Sequence, residues 1–217
     1  MKYKAVIFDL DGTLIDTAND IRFYINKILK RRSFPEITPH NFYSIIGAGL
    51  RNAMEKALAG AEKDENKIDL YTKELIDEYF KNPVIETHFY EGIDILLEKI
   101  KQKNMKIAIF SNKAHAITEK IVDIIFGKKM FDIVMGAKEG LPKKPDPTGA
   151  LQIAEKFGFS SKEMVYLGDS DVDCLTARSG GFNFIAALWG YRTKKEIADA
   201  GADQFISKPL ELIDFLD

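Results

Sequence analysis

A chain of 217 residues holds one large domain, or a core carrying a smaller insertion. Its 46% hydrophobic and 29% charged residues describe an ordinary globular protein, and a net charge of −2 argues against a dedicated nucleic-acid binder, which would show a basic excess. The single cysteine, Cys174, excludes an intrachain disulfide and a cysteine-based zinc site, and no run approaches the roughly eighteen apolar residues of a membrane span.

The chain opens on Ala5-Val6-Ile7-Phe8-Asp9-Leu10-Asp11-Gly12-Thr13. Four apolar residues read as a strand buried on both faces of a parallel sheet. Asp9 ends the run too early for a signal-peptide core, so a soluble, cytoplasmic protein is expected. Asp9 and Asp11 are two apart, which on an extended chain sends both side chains to the same side. Gly12 then releases the backbone into a turn. Acids at the carboxyl end of a buried strand stand where open α/β sheets bind ligands.

From residue 16 the period becomes helical. Ile21, Tyr24, Ile25, Ile28 and Leu29 share one face, and Lys30, Arg31 and Arg32 end that helix where cations suit its dipole. Pro35 and Pro39 break the chain. Gly47-Ala48-Gly49 marks a loop before a helix with Leu50, Met54, Ala57 and Leu58, and a longer helix holds Ile68, Tyr71, Leu75, Ile76, Tyr79 and Phe80. No strand is expected from 16 to 87, so this block reads as an all-helical domain of roughly seventy residues. Helices and strands then alternate. Strands are expected at 105–110, 131–135, 164–167, 182–188 and 204–206, with helices at 116–126, 148–157 and 210–216 among those between them. That alternation predicts an α/β fold: a doubly wound, parallel, Rossmann-like sheet (1–15 and 88–217) with the helical block (16–87) inserted after its first strand.

Residues at strand ends converge although distant in sequence. The second strand of the sheet runs out into Ser111-Asn112, a hydroxyl and an amide able to donate to an anion. Leu141-Pro142-Lys143-Lys144-Pro145-Asp146-Pro147 precedes the fourth, its prolines fixing the backbone around a lysine. The fourth runs into Gly168-Asp169-Ser170-Asp171-Val172-Asp173. Each motif alone is common in loops and caps; all of them, in this order, are not.

That order resembles the haloacid dehalogenase-like superfamily, specifically its phosphatases with a helical cap after the first strand, over essentially the whole chain. Lys144-Pro145-Asp146-Pro147 and Trp189-Gly190-Tyr191-Arg192 are similar to the phosphoglycolate phosphatase-like branch. The resemblance implies Asp9 as nucleophile and Asp11 as general acid/base. It implies Ser111, Asn112 and Lys144 around the transferring phosphoryl group. Mg²⁺ would sit on Asp9, the Asp11 carbonyl and Asp169, supported by Asp173, Gly12 and Thr13. Physical chemistry agrees independently: each pair of unit charges of like sign at 4 Å costs about 4 kcal/mol at an effective dielectric near 20. A carboxylate nucleophile therefore needs a hard cation beside a dianionic ester. In the cap, Arg51 and the loop of Gly47 and Gly49 are the candidates for substrate selection.

The expected substrate is a small phosphorylated metabolite, with no nucleic acid and no membrane as partner, and the enzyme is a monomer or homodimer. Pyrophosphatase, sugar-phosphate phosphatase and nucleotidase stay open beside phosphoglycolate hydrolysis. A phosphosugar mutase is disfavoured, because Ile21 stands where such enzymes place a histidine; a non-catalytic phosphate-binding module is disfavoured by the complete acid set. His40, His88 and His115 show no ligand spacing. Trp189 is expected at the substrate entrance or in packing at the core's edge.

Overall fold

The computed structural model describes residues 3–216. In chain order the elements are β1 (Ala5–Phe8), β2 (Ile15–Asp16), α1 (Ala18–Arg31), α2 (Pro39–Phe42), α3 (Leu50–Leu58), α4 (Glu65–Lys81), β3 (His88–Phe89), α5 (Ile93–Gln102), β4 (Lys106–Ala114), α6 (His115–Ile125), β5 (Ile133–Ala137), α7 (Thr148–Phe157), β6 (Met164–Gly168), α8 (Asp171–Gly180), β7 (Asn183–Ala187), α9 (Lys194–Asp199), β8 (Phe205–Ile206) and α10 (Leu212–Leu216).

Four consecutive buried residues make β1 the centre of a parallel sheet ordered β5-β4-β1-β6-β7-β8. Val6 lies opposite Ile107 of β4 on one side and Val165 of β6 on the other. Alternation along the strand feeds two cores. Ala5 and Ile7 pack on the face that holds Ala150 and Ile153 of α7 and Ala177 of α8. Val6 and Phe8 belong to the opposite core, which continues without a break into the inserted helices through Ile25, Leu29, Met54, Leu75 and Tyr79. In α1, buried Ile21, Tyr24, Ile25, Ile28 and Leu29 recur at helical spacing, with Lys30 and Arg31 in its last turn. Burying each such aliphatic side chain contributes about 1.5–3 kcal/mol.

The structure departs from the sequence expectations at the joints. Two short segments at the ends of the helical block, where no strand is expected, pair as an antiparallel ribbon, Ile15 opposite Phe89 and Asp16 opposite His88. Two residues each are too few for alternation to show. Pro39, expected only to break the chain, begins the short α2, since its fixed φ suits a first turn. The second sheet strand extends through Ser111 and Asn112 to Ala114, with the pairing register shifting after Phe110. The carboxylate of Asp20, in the first turn of α1 and 2% exposed, gathers the returning chain. It accepts hydrogen bonds from Ile85 N (2.9 Å), Glu86 N (2.9 Å), Thr87 N (3.1 Å) and Thr87 Oγ1 (2.6 Å). Cys174 is buried, and no described helix is long and apolar enough to cross a membrane.

Candidate active site

The carboxyl ends of β1 and β4 open onto one cleft. Asp9, Asp11, Ser111, Asn112, Lys113, Lys144 and Tyr191 line it from the sheet, and Ile21, Ile46, Gly47, Gly49, Leu50 and Ala53 from the helical insertion.

Asp9 follows β1 directly, its N–H donating to Leu167 O (2.9 Å), so the neighbouring strand fixes its backbone. Lys144 Nζ lies 2.7 Å from Asp9 Oδ1 and 2.6 Å from Asp173 Oδ1, fully desolvated. That lysine is held by its main chain: Asn112 Oδ1 accepts from Lys144 N (2.8 Å), and Asn112 Nδ2 donates to Lys144 O (3.1 Å). Asn112, expected to offer its amide to an anion, clasps the lysine's loop while also lining the cleft. Ser111 Oγ accepts from Lys113 N (3.1 Å), which leaves the hydroxyl hydrogen available to the cleft it lines.

Asp169 is walled in by residues without side chains. A Cβ on Gly12 would lie 2.4 Å from Asp169 Oδ2, and one on Gly190 would lie 2.3 Å from Asp169 Cβ. Gly12 also has φ +87°. Thr13 Oγ1 donates to Asp169 Oδ1 (2.9 Å) and Tyr191 N to Oδ2 (2.7 Å). Asp173 sits in the first turn of α8 behind its N-cap Ser170, accepting from Ser170 Oγ (2.5 Å) and Tyr166 Oη (3.3 Å). One carboxylate oxygen from each of Asp9, Asp169 and Asp173 lies within 4.8 Å of the others, all buried. Burial, and next the charge of Asp173, raise Asp9 well above the ordinary carboxylate range, although Lys144 pulls the other way. The same two causes push Asp169 up to about 7. Burial would lower Lys144, but Asp173 and Asp9 hold it well above the usual lysine range. An all-oxygen set of facing, desolvated acids fits a hard divalent cation.

Residues 6–187 match the family model described as haloacid dehalogenase-like hydrolase. The chain is a haloacid dehalogenase-like hydrolase. Over 99% of its length it is 34% identical to a phosphoglycolate phosphatase of Aquifex aeolicus, covering 97% of that protein. An N-acetylmuramic acid 6-phosphate phosphatase of Pseudomonas aeruginosa is 28% identical over all of this chain and 96% of its own. A solved structure of a predicted phosphoglycolate phosphatase from Haemophilus somnus superposes with a TM-score of 0.91 at 24% identity, covering 100% and 99% of the two chains, a likeness of fold.

In this hydrolase Asp11 is held by one residue that follows β2 and one at the end of β4. Thr17 Oγ1 donates to Asp11 Oδ1 (2.5 Å), and Lys113 Nζ stands 3.0 Å from the same oxygen. Asp11 Oδ2 has no hydrogen-bond partner among the described residues. Tyr191 Oη donates to Asp16 Oδ1 (3.1 Å) and accepts from Thr17 N (2.9 Å), so one residue braces both Asp169 and the segment behind Asp11. Trp189 Nε1 donates to Thr13 O (2.9 Å), which packs it behind the motif rather than in the cleft wall.

Arg51, expected to select the substrate, turns away from the cleft. Its Nε donates to Asp69 Oδ1 (2.7 Å), and its Nη atoms pair with Glu55 (3.3 Å) and Glu65. Gly47 and Gly49 do line the cleft, and a Cβ on Gly49 would stand 3.4 Å from Asn112 O. Sequence reasoning missed Lys113, Tyr191 and Thr17. The signal for Lys113 was its place two residues after Ser111 at the end of a strand, where alternation returns a side chain to the same side.

Proposed function

We propose that this hydrolase is a Mg²⁺-dependent phosphomonoester phosphatase of a small metabolite, with phosphoglycolate its substrate, acting through an aspartyl-phosphate on Asp9. The single observation that carries the reading is the pairing of Asp9 with a desolvated lysine beside Asp169, while Asp11 keeps one oxygen free over the same cleft. Residues 16–87 form the cap and the remainder the catalytic core in this reading.

Asp9 attacks phosphorus; an Asp9–phosphorus bond forms as the ester bond breaks, and Asp11 gives its proton to the departing oxygen. Water then attacks phosphorus, Asp11 takes back a proton, and the Asp9–phosphorus bond breaks to release phosphate. Asp11 Oδ2 is the oxygen that carries the proton, since Oδ1 is already engaged by Thr17 and Lys113. Ser111 Oγ and Lys144 Nζ hold the phosphoryl oxygens. Asp9, the Asp11 carbonyl and Asp169 would hold Mg²⁺, which when bound neutralises the charge gathered between nucleophile and ester. Asp173 holds Lys144 in place.

The apolar cap wall of Ile21, Ile46, Leu50 and Ala53 suits a compact leaving group over a polyhydroxylated sugar. Ile21 at that wall also leaves the cap without a proton carrier there, which weighs against a mutase. The relative named for N-acetylmuramic acid 6-phosphate keeps a sugar-phosphate substrate as the second reading. A steady-state screen with Mg²⁺ over phosphoglycolate, pyrophosphate, sugar phosphates and nucleotides tests both. Turnover of phosphoglycolate with the highest kcat/KM is expected; turnover of none would overturn the phosphatase reading.

A further inference from the structure

Lys113 is a buried cation that the proposed chemistry uses only to engage Asp11, with no contact of its own to the substrate. It lies at the end of β4, 4% exposed, with Nζ 3.0 Å from Asp11 Oδ1 and 3.2 Å from the Tyr79 hydroxyl, and with the Tyr79 ring centroid 4.8 Å away. Tyr79 is itself fully buried and belongs to α4 of the cap. An ammonium has three hydrogens to donate. Two are directed at Asp11 and Tyr79; the third has no partner among the described residues, and Lys113 lines the cleft.

The surrounding charges determine what that third hydrogen can meet. Lys144, the other cation at the cleft, is divided between Asp9 and Asp173. The cap contributes four apolar side chains and two glycines to the wall, and its arginine at position 51 is paired with acids elsewhere. Of the two lysines among the described residues that line the cleft, Lys113 is therefore the one with a hydrogen to spare for a second anionic group next to the ester, and it comes from the core. Because Tyr79 and Asp11 grip the ammonium from opposite domains, it is fixed before substrate arrives, so little side-chain freedom is lost on binding.

We propose that Lys113 is the specificity-determining residue that binds the carboxylate of a small phosphorylated acid, setting this hydrolase's preference for an anionic leaving group over a neutral one. The inference rests on the phosphoglycolate reading above. A site built to pair a buried donor with an anion rejects an analogue lacking it strongly, because the donor is then left unmatched.

The test compares phosphoglycolate with 2-hydroxyethyl phosphate, in which a neutral hydroxymethyl group replaces the carboxylate, on the wild type, Lys113→Met and Lys113→Arg. In the wild type kcat/KM should favour phosphoglycolate by about 100-fold. Lys113→Met should reduce that ratio to within about threefold of unity, and Lys113→Arg should retain at least about a tenth of it. Binding of the intact esters to Asp9→Asn, with and without Lys113→Met, gives the same ratio without turnover; Lys113→Gln replaces Lys113→Met if the latter fails to fold. If Lys113 only braces Asp11, both esters slow equally and the ratio survives, which overturns the specificity role while leaving phosphoglycolate hydrolysis intact. A wild type that hydrolyses both esters without preference overturns the inference and the phosphoglycolate assignment together, yet leaves a phosphatase. Hydrolysis of neither overturns all three.

Discussion

Replacing Asp20 by alanine should loosen the cap without touching substrate. The carboxylate receives four hydrogen bonds from the returning segment, two of them, from Thr87 N and Oγ1, fully buried. A hydrogen bond to a charged group contributes about 1.5–3 kcal/mol when its donors cannot rehydrate, and much less when they can. Ile85 and Glu86 are exposed residues whose amides can turn to water, whereas Thr87 is buried. The cost is therefore governed by the buried pair, at about 4 kcal/mol for Asp20→Ala and about 2 kcal/mol for Asp20→Asn, which keeps one acceptor. In a protein of this size that corresponds to a fall in Tm of roughly 8–16 °C and 4–8 °C respectively. Thermal unfolding followed by circular dichroism measures it, and kcat/KM at 25 °C should fall in the same order. A change in Tm below about 2 °C for Asp20→Ala would refute the view that this side chain holds the returning segment.

Asp9→Asn should abolish turnover while leaving the fold intact, and quenched-flow mass spectrometry should find no phosphorylated enzyme. Asp11→Asn should lower kcat about 100-fold or more, with the intermediate still detectable under single turnover. Gly190→Ala places a methyl 2.3 Å from Asp169 Cβ and from Gly12 O, so titration calorimetry should show Mg²⁺ affinity reduced at least about tenfold. Because the folded pKa of Asp169 is raised, from 3.8 to about 7, the native state binds the extra proton. Metal-free protein should therefore lose stability as pH rises from about 4 through about 7, and Mg²⁺ should restore it above 7; a rise in Tm over that window without metal would contradict the shift. Arg51→Ala should leave the ranking of substrates unchanged, since its partners are acids of the cap; a reordered ranking would return it to the site.

The core was legible because its signals are local and repeated: four buried residues ending at Asp9, the 148–157 helix, and the strand at 164–167 that feeds Gly168-Asp169. Side-chain direction was the harder part. Asn112 carries the donors expected of an anion ligand, but whether it faces ligand or Lys144's main chain depends on a loop thirty-two residues away. Arg51 stood correctly next to the cap loop that approaches the site, yet its helix directs it toward Glu55, Glu65 and Asp69, and the pairing across α3 and α4 was invisible to periodicity. The β2–β3 ribbon escaped for a related reason, two paired residues on each side being shorter than any pattern. Tyr191 gave no local sign of its role, because its hydrogen-bond partners Asp16, Thr17 and Asp169 lie just after β1 and just after β6.

The central placement of β1 also governs how this protein can fail. Its amides and carbonyls are bonded to β4 and β6 on either side, and both packed faces cover it. Fraying from the outer strands β5 and β8 leaves this strand untouched, so the backbone beneath Asp9 is released only when the whole sheet opens. Partial melting of the outer strands thus spares the position of the attacking group.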